Sequence, residues 1–321
     1  MYDFQPGMYS VVSPKKMVIF VLLLFWLISP VAVVAQSSAP DGFDLPVLGD
    51  FSPESVAEID VLAQPVMPEI SPYMRTVYAR GQAAGRNPLM FSKIGDSMTW
   101  SEQFLTPFGD DDYTLGDYSH LERVIQHFRA GVEGDNAFNR ENYATDEGFS
   151  TASVLDSTWA NAEVCLANES PLACELRVSE SAFALMMFGT NDVMFFDGAT
   201  FDYFLRTILL ELLAADVVPV LYTMPIRPEE VEKSWLYNQI IIQAAWDYEL
   251  PLVNLVAALE DLPDFGVDPD DTLHLTAPAP PATTATFTAE GLAAGYTVRN
   301  LVTLQALEHI LTELEILEPV E

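Results

Sequence analysis

Apolar positions along this chain fall into two alternating patterns. Mostly unbroken apolar runs at Leu89 to Ile94, Ala182 to Phe188, Val217 to Tyr222 and Pro251 to Leu255 have the length of buried strands. Between and after them, apolar side chains recur at helical spacing. Leu121, Val124, Ile125 and Phe128 share one side of a helix over Tyr118 to Phe128, and further helices are predicted at Phe201 to Ala215, Glu229 to Tyr248 and Ala289 to about Leu317. Two shorter helices precede the first strand, Ser55 to Leu62 and Tyr73 to Ala84, the second opened by Ser71-Pro72 and broken at Gly85-Arg86-Asn87-Pro88. The polar stretch Asn142 to Ser150 reads as a loop leading into a helix over Thr151 to Trp159. Pro219 has no N–H to donate, so its strand is predicted to be irregular or to lie toward an edge.

Strands alternating with helices of this length imply parallel β-α units. The fold class is therefore α/β: three layers, α/β/α, around a mainly parallel central sheet, flavodoxin-like. Ligands of such sheets gather beyond the carboxyl ends of the strands. Two of the apolar runs end there at polar turns, Gly95-Asp96-Ser97 and Gly189-Thr190-Asn191-Asp192.

Composition adds a compartment. Of 321 residues, half are hydrophobic, enough for one sizeable domain. Lys15 and Lys16 precede an apolar run from Met17 that ends in small residues at Val33-Val34-Ala35, the pattern of a secretory signal peptide over 1–35. A retained anchor is the alternative reading of that run, and a membrane is a partner only in that case. Either way the remainder is expected to be secreted or extracytoplasmic. Residues 36–86 read as a tether followed by an N-terminal helical arm. The net charge of −33 makes nucleic acid and anionic membrane surfaces poor partners. Cys165 and Cys174, the two cysteines of an exported chain, are expected to form a disulfide around a short loop. The run 276–286, rich in Pro, Ala and Thr, is expected to be a mobile flap or surface insertion that packs no core. Acidic Asp264 to Asp271 lacks the glycine and closing glutamate of a calcium loop.

The chemistry lies in the turns. A serine after a glycine at a strand end leaves its hydroxyl near backbone N–H groups that can face an oxyanion. Such a serine needs a neutral imidazole as base and a carboxylate to orient that imidazole. Of four histidines, His120 and His127 follow helical spacing and His309 falls on the closing helix, whereas His274 sits in a loop three residues after Asp271. Gly-x-Ser-x-Gly is absent around Ser97, since Thr99 holds the last position.

From about Pro88 to Leu317 the chain resembles the SGNH (GDSL-type) hydrolases, on four blocks in order. Gly95-Asp96-Ser97 resembles the nucleophile block, Gly148 in Glu147-Gly148-Phe149-Ser150 the second, Gly189-Thr190-Asn191-Asp192 the third, and Asp271-x-x-His274 the last. The resemblance implies an SGNH domain over 87–321 that hydrolyses carboxylic esters with a Ser97-His274-Asp271 triad. It also implies an oxyanion hole made by the Ser97 and Gly148 N–H groups and the Asn191 side chain, with no metal or organic cofactor required. The implied partner is an ester, a short acyl group on an extracellular glycan or a small ester. A lysophospholipase or lipase, or a catalytically silent binding module, is the alternative. Trp100, Phe104 and Met194-Phe195-Phe196 lie beside the catalytic blocks, with Trp100 and Phe195 the candidate substrate contacts and ordinary core packing an equal reading for all of them.

Overall fold

The protein's structure, a computed structural model, describes residues 51–131 and 136–319. The expected signal peptide and the start of the tether lie outside those residues. Among the described residues, no helix is long and apolar enough to cross a membrane.

The first long helix, α1 (Pro72–Ala83), starts where Ser71 accepts the Met74 N–H and Pro72 fills the first turn. Strand β1 (Asn87–Gly95) follows directly. After a long irregular stretch come α2 (Glu122–Arg129) and α3 (Pro171–Ser179), the latter again capped by a serine, Ser170, with proline behind it. The rest alternates: β2 (Ser181–Met187), α4 (Gly198–Ala214), β3 (Val218–Tyr222), α5 (Val231–Asp247), the short β4 (Leu252–Val253) and α6 (Gly295–Glu313). The sheet order is β1-β2-β3-β4 and every pairing is parallel.

Register divides the helices between two faces. Phe91, Phe183 and Val218 are laterally aligned, so odd-numbered positions of β1 and β2 and even-numbered positions of β3 share a face. That face carries α1, α2 and α6: Tyr78 stacks on Phe183 at 5.7 Å, Phe128 meets Phe91 edge-on at 5.0 Å, and the Tyr222 hydroxyl donates to Thr303 at 3.1 Å. The other face carries α3, α4 and α5. There Ser92 donates to Glu175, and Phe201 of α4 stacks on Tyr237 of α5 at 4.0 Å. The architecture is the three-layer α/β/α arrangement expected from the alternation of apolar runs.

Differences from expectation have local causes. Residues 151–159 form two single 3-10 turns, Ser153–Leu155 and Ser157–Trp159, because Asp156 breaks the run by accepting the Thr158 N–H. The helix over Tyr118 to Phe128 begins as a 3-10 segment, Gly116–Leu121. Pro219 lies in an interior strand, yet the edge argument holds locally. Leu221 and Thr223 donate to the Pro251 and Val253 carbonyls of β4, so position 219 would donate on that side before β4 begins. Within the run 276–286, Thr284 and Ala285 are fully buried, which corrects the expectation that this run packs no core. The Thr114 N–H donates to the Ala285 carbonyl at 2.9 Å, the Phe287 N–H donates to the Thr114 carbonyl at 2.7 Å, and Asn300 of α6 donates to the Thr284 carbonyl at 3.1 Å. The segment before β1 is likewise bound into the domain: Gly81 of α1 approaches the Asp216 backbone so closely that a Cβ would sit 2.4 Å from its carbonyl oxygen.

Candidate active site

β1 and β2 deliver two turns to the same end of the sheet. At the first, Asp96 accepts the Met98 N–H at 3.1 Å and caps a four-residue helix that begins with Ser97. Gly95 is required for space, since a Cβ there would lie 2.5 Å from both the Met187 carbonyl oxygen and Thr99 Oγ1. From the first turns of α6, Arg299 donates to the Met98 carbonyl at 2.7 Å and to Thr99 Oγ1 at 3.0 Å, its guanidinium 3.7 Å from the centroid of Phe104. The Ser97 turn is thus held from both ends by buried polar groups.

His274 reaches Ser97 from a loop after β4. Its Nε2 lies 2.9 Å from Ser97 Oγ and its Nδ1 lies 2.7 Å from Asp271 Oδ2. The loop is closed on itself: the Asp268 N–H donates to the His274 carbonyl, and the Asp268 carboxylate accepts the Asp270 and Asp271 N–H groups. Thr276 then donates its N–H to the Gly266 carbonyl, tying the loop to the body. The Asp271–His274 bond holds the Asp271 carboxyl below the usual carboxylate range. With the acid on Nδ1, the tautomer that leaves Nε2 free to take the serine proton is favoured.

Gly148 and Asn191 line the same cleft, of about 1280 Å³, as Ser97, His274 and Asp271. Gly148 has φ +74, a left-handed conformation that favours glycine. Asn191 Nδ2 donates one proton to the Phe149 carbonyl at 2.9 Å. An amide carries a second N–H, which leaves a donor for substrate.

The two candidate aromatic contacts separate. Trp100 is half exposed and lines the cleft; Phe195 is 76% exposed and is not part of the cleft wall, because the short helix Asp192–Phe195 turns it away. Phe104, shortly after Trp100 in the sequence, is core. Trp159, which the sequence reading placed only as the end of a helix, is also half exposed on the cleft wall and meets Phe149 edge-on at 6.1 Å. The Cys165–Cys174 disulfide is present, with Cα atoms 5.3 Å apart, and staples the segment that follows Trp159. It also occupies the two sulfurs that lie near Glu169, so that trio offers no thiolate to a metal. The other histidines stand apart: His127 Nε2 lies 2.9 Å from the Pro88 carbonyl, His120 faces Glu308, and His309 is exposed.

Two buried ionisable groups flank Ser97. Burial, opposed by Arg299, pushes the Asp96 carboxyl up to about 7, and one of its oxygens has no hydrogen-bond partner. Burial, with the Arg140 and Arg299 charges nearby, brings the Lys93 ammonium down to about 7. The Asp96 shift has a sign in stability. The folded state keeps this proton up to about pH 7, whereas an unfolded carboxyl releases it near pH ~4. Stability from this group is therefore present at low pH and lost as pH rises through that window. Asp96→Asn keeps the cap acceptor and removes the charge, so its urea midpoint should gain on the wild type at pH 8 relative to pH 5. A difference that is the same at both pH values would refute the assignment.

No protein-family model matches the chain, and no curated protein matches it. Solved structures do. A lipase/acylhydrolase from Enterococcus faecalis is 18% identical over 68% of this chain and 95% of its own, with a TM-score of 0.43. An acetyl-xylooligosaccharide esterase from Geobacillus is 15% identical over 68% of this chain and 93% of its own, TM-score 0.42. An SGNH-hydrolase family esterase is 20% identical over 73% of this chain and 98% of its own, TM-score 0.34.

Proposed function

We propose that this protein is an exported serine esterase of the SGNH type, removing short acyl groups from hydroxyl-rich substrates such as extracellular glycans or from small esters. The observation that carries the reading is the relay Asp271 Oδ2 to His274 Nδ1, His274 Nε2 to Ser97 Oγ, both at hydrogen-bond distance at the mouth of an open cleft. Ser97 Oγ attacks the ester carbonyl while its proton passes to His274 Nε2. The carbonyl oxygen, now an anion, is met by the Ser97 and Gly148 N–H groups and the free Asn191 N–H. Collapse of the adduct expels the alcohol, which takes the proton from His274, and leaves the acyl group on Ser97. Water, deprotonated by His274, then releases the acid by the same steps in reverse.

The nature of the alcohol is argued from the walls. Trp100 and Trp159 present half-exposed rings, and the same cleft wall carries hydrogen-bonding side chains including Gln103, Asn139, Asn142 and Asn161. Flat rings beside amides suit a sugar better than a long alkyl chain, which needs continuous apolar surface. Export is supported by the N-terminal run and by the disulfide, since structural disulfides belong to oxidising compartments.

The test is a matched panel, p-nitrophenyl acetate through palmitate with acetylated xylan, given to the wild type and to Ser97→Ala. Release of acetate from both the short ester and the xylan, lost in the variant, is the expected result. Preference for palmitate would make the protein a lipase, and absence of Ser97-dependent turnover by folded protein would leave a binding module of this fold.

A further inference from the structure

We propose that Asp192, acting through Thr151, is the positioning residue that fixes the oxyanion hole, a role resting on the assignment of Gly148 and Asn191 to that hole. The two halves of the hole come from chain segments about forty residues apart. Something must hold them in register to a fraction of an ångström, because an oxyanion donor works only when it is already aimed at the developing charge.

Consecutive residues of the second turn do this. Asn191 Nδ2 donates to the Phe149 carbonyl at 2.9 Å, and Asp192 Oδ1 accepts the Thr151 N–H at 2.9 Å together with the Thr151 hydroxyl. The strip 149–151, immediately after Gly148, is therefore pinned at both ends to residues 191–192. Asp192 is itself immobilised. Its carbonyl accepts the Phe196 N–H at 2.9 Å and lies 3.3 Å from the Tyr237 hydroxyl, and the Val193 N–H donates back to the Gly189 carbonyl at 3.0 Å.

A packing role alone does not explain an acid here. Asp192 and Thr151 are fully buried, and Asp192 Oδ2 has no hydrogen-bond partner. Burial raises the Asp192 carboxyl above its ordinary range and the two Thr151 bonds pull it back. An apolar side chain of similar volume would fill the same space without that desolvation. What an apolar side chain could not supply is an acceptor for both Thr151 donors, which sets the backbone three residues from Gly148. It touches no substrate, so it positions and does not react.

The test separates alignment from folding. Thr151→Val keeps the N–H bond and removes the hydroxyl bond; Thr151→Ser keeps both; Asp192→Asn weakens both. Removal of a whole oxyanion donor costs about 10²–10³ in kcat, so a misaligned one is expected to cost roughly tenfold in Thr151→Val and more in Asp192→Asn. KM for p-nitrophenyl acetate should stay within about twofold, affinity for a boronic acid that mimics the tetrahedral adduct should fall in step with kcat, and Thr151→Ser should restore both. If Thr151→Val folds, loses thermal stability and keeps its kcat and boronate affinity, the residue pair is structural only and the proposal is wrong. A rise in KM alone would overturn it equally. If instead wild-type turnover does not depend on Ser97, the esterase reading has failed and this inference falls with it; Ser97-dependent turnover that ignores Thr151 overturns the inference alone.

Discussion

Ser97→Ala is expected to lower kcat by about 10⁶-fold, with His274→Ala nearly as damaging and the double variant no worse than either. The two side chains act in one event. Without the hydroxyl there is nothing for the imidazole to deprotonate, and without the imidazole the hydroxyl keeps its proton, so each deletion removes the same step. What should survive is about 10³–10⁴ over water, from the oxyanion donors and from substrate positioning. Substrate binding should be little changed, because the Ser97 hydroxyl makes one bond, to His274. The main chain around it is held by Asp96 and Arg299, not by Ser97 itself. Steady-state rates on p-nitrophenyl acetate, with circular dichroism to show that each variant folds, give the answer. Additive losses, with the double variant far below either single one, would mean that the two residues serve separate steps. A Ser97→Ala enzyme that keeps a tenth of its activity would place the nucleophile elsewhere.

How much of this was legible before the structure depends on which force placed each residue. Buried parallel strands announce themselves because both faces are covered, so Ala182 to Phe188 reads as one apolar run and its end at Gly189 marks the site. Ser97, His274 and Asp271, the proposed triad, are legible for a different reason: they sit in turns where a glycine, an aspartate or a histidine has little to pack against. Residues that work through tertiary bonds are not. Nothing local in Gly295 to Glu313 says that Arg299 will bond to the turn after Ser97, and nothing around Thr151 says that its N–H will meet Asp192. Aromatic contacts fail in the same way. Phe195 is closer than Trp159 to a site block in sequence, yet the direction of a short helix and of a 3-10 turn decides that the cleft exposes Trp159. Low complexity misleads in the opposite sense at Thr284 and Ala285, which are buried because the Thr284 hydroxyl donates to the Gln103 carbonyl and the Thr284 carbonyl accepts from Asn300.

Asp271→Ala is expected to cost about 10⁴ in kcat, and the structure predicts that part of the loss can be returned from solution. In triads where the acid is sealed inside the protein, no small molecule can replace it. Here the Asp271 side chain is 54% exposed and its partner His274 is 30% exposed, so the space left by the carboxylate opens to water. Water can hydrogen-bond the imidazole Nδ1 but carries no charge to stabilise the imidazolium that forms when Ser97 is deprotonated. Formate carries that charge and fits the space of the missing carboxyl, so it should raise kcat of Asp271→Ala severalfold in a saturable manner. Asp271→Asn keeps the space filled with an amide and should not respond, and Ser97→Ala should not respond either. Chloride at equal ionic strength is the control for screening of the strongly acidic surface. A loss below tenfold in Asp271→Ala would show that water suffices to orient His274 and that the acid is dispensable. Rescue of Asp271→Asn as strong as that of Asp271→Ala would show that formate acts somewhere other than the vacated position beside Nδ1. Exposure of the acid also means that its bond to His274, rather than burial, sets its protonation. The carboxylate therefore stays charged through the neutral range, so a titration seen in kcat between pH 5 and 8 should be unchanged in shape when Asp271 is replaced by glutamate, provided the longer side chain still reaches Nδ1.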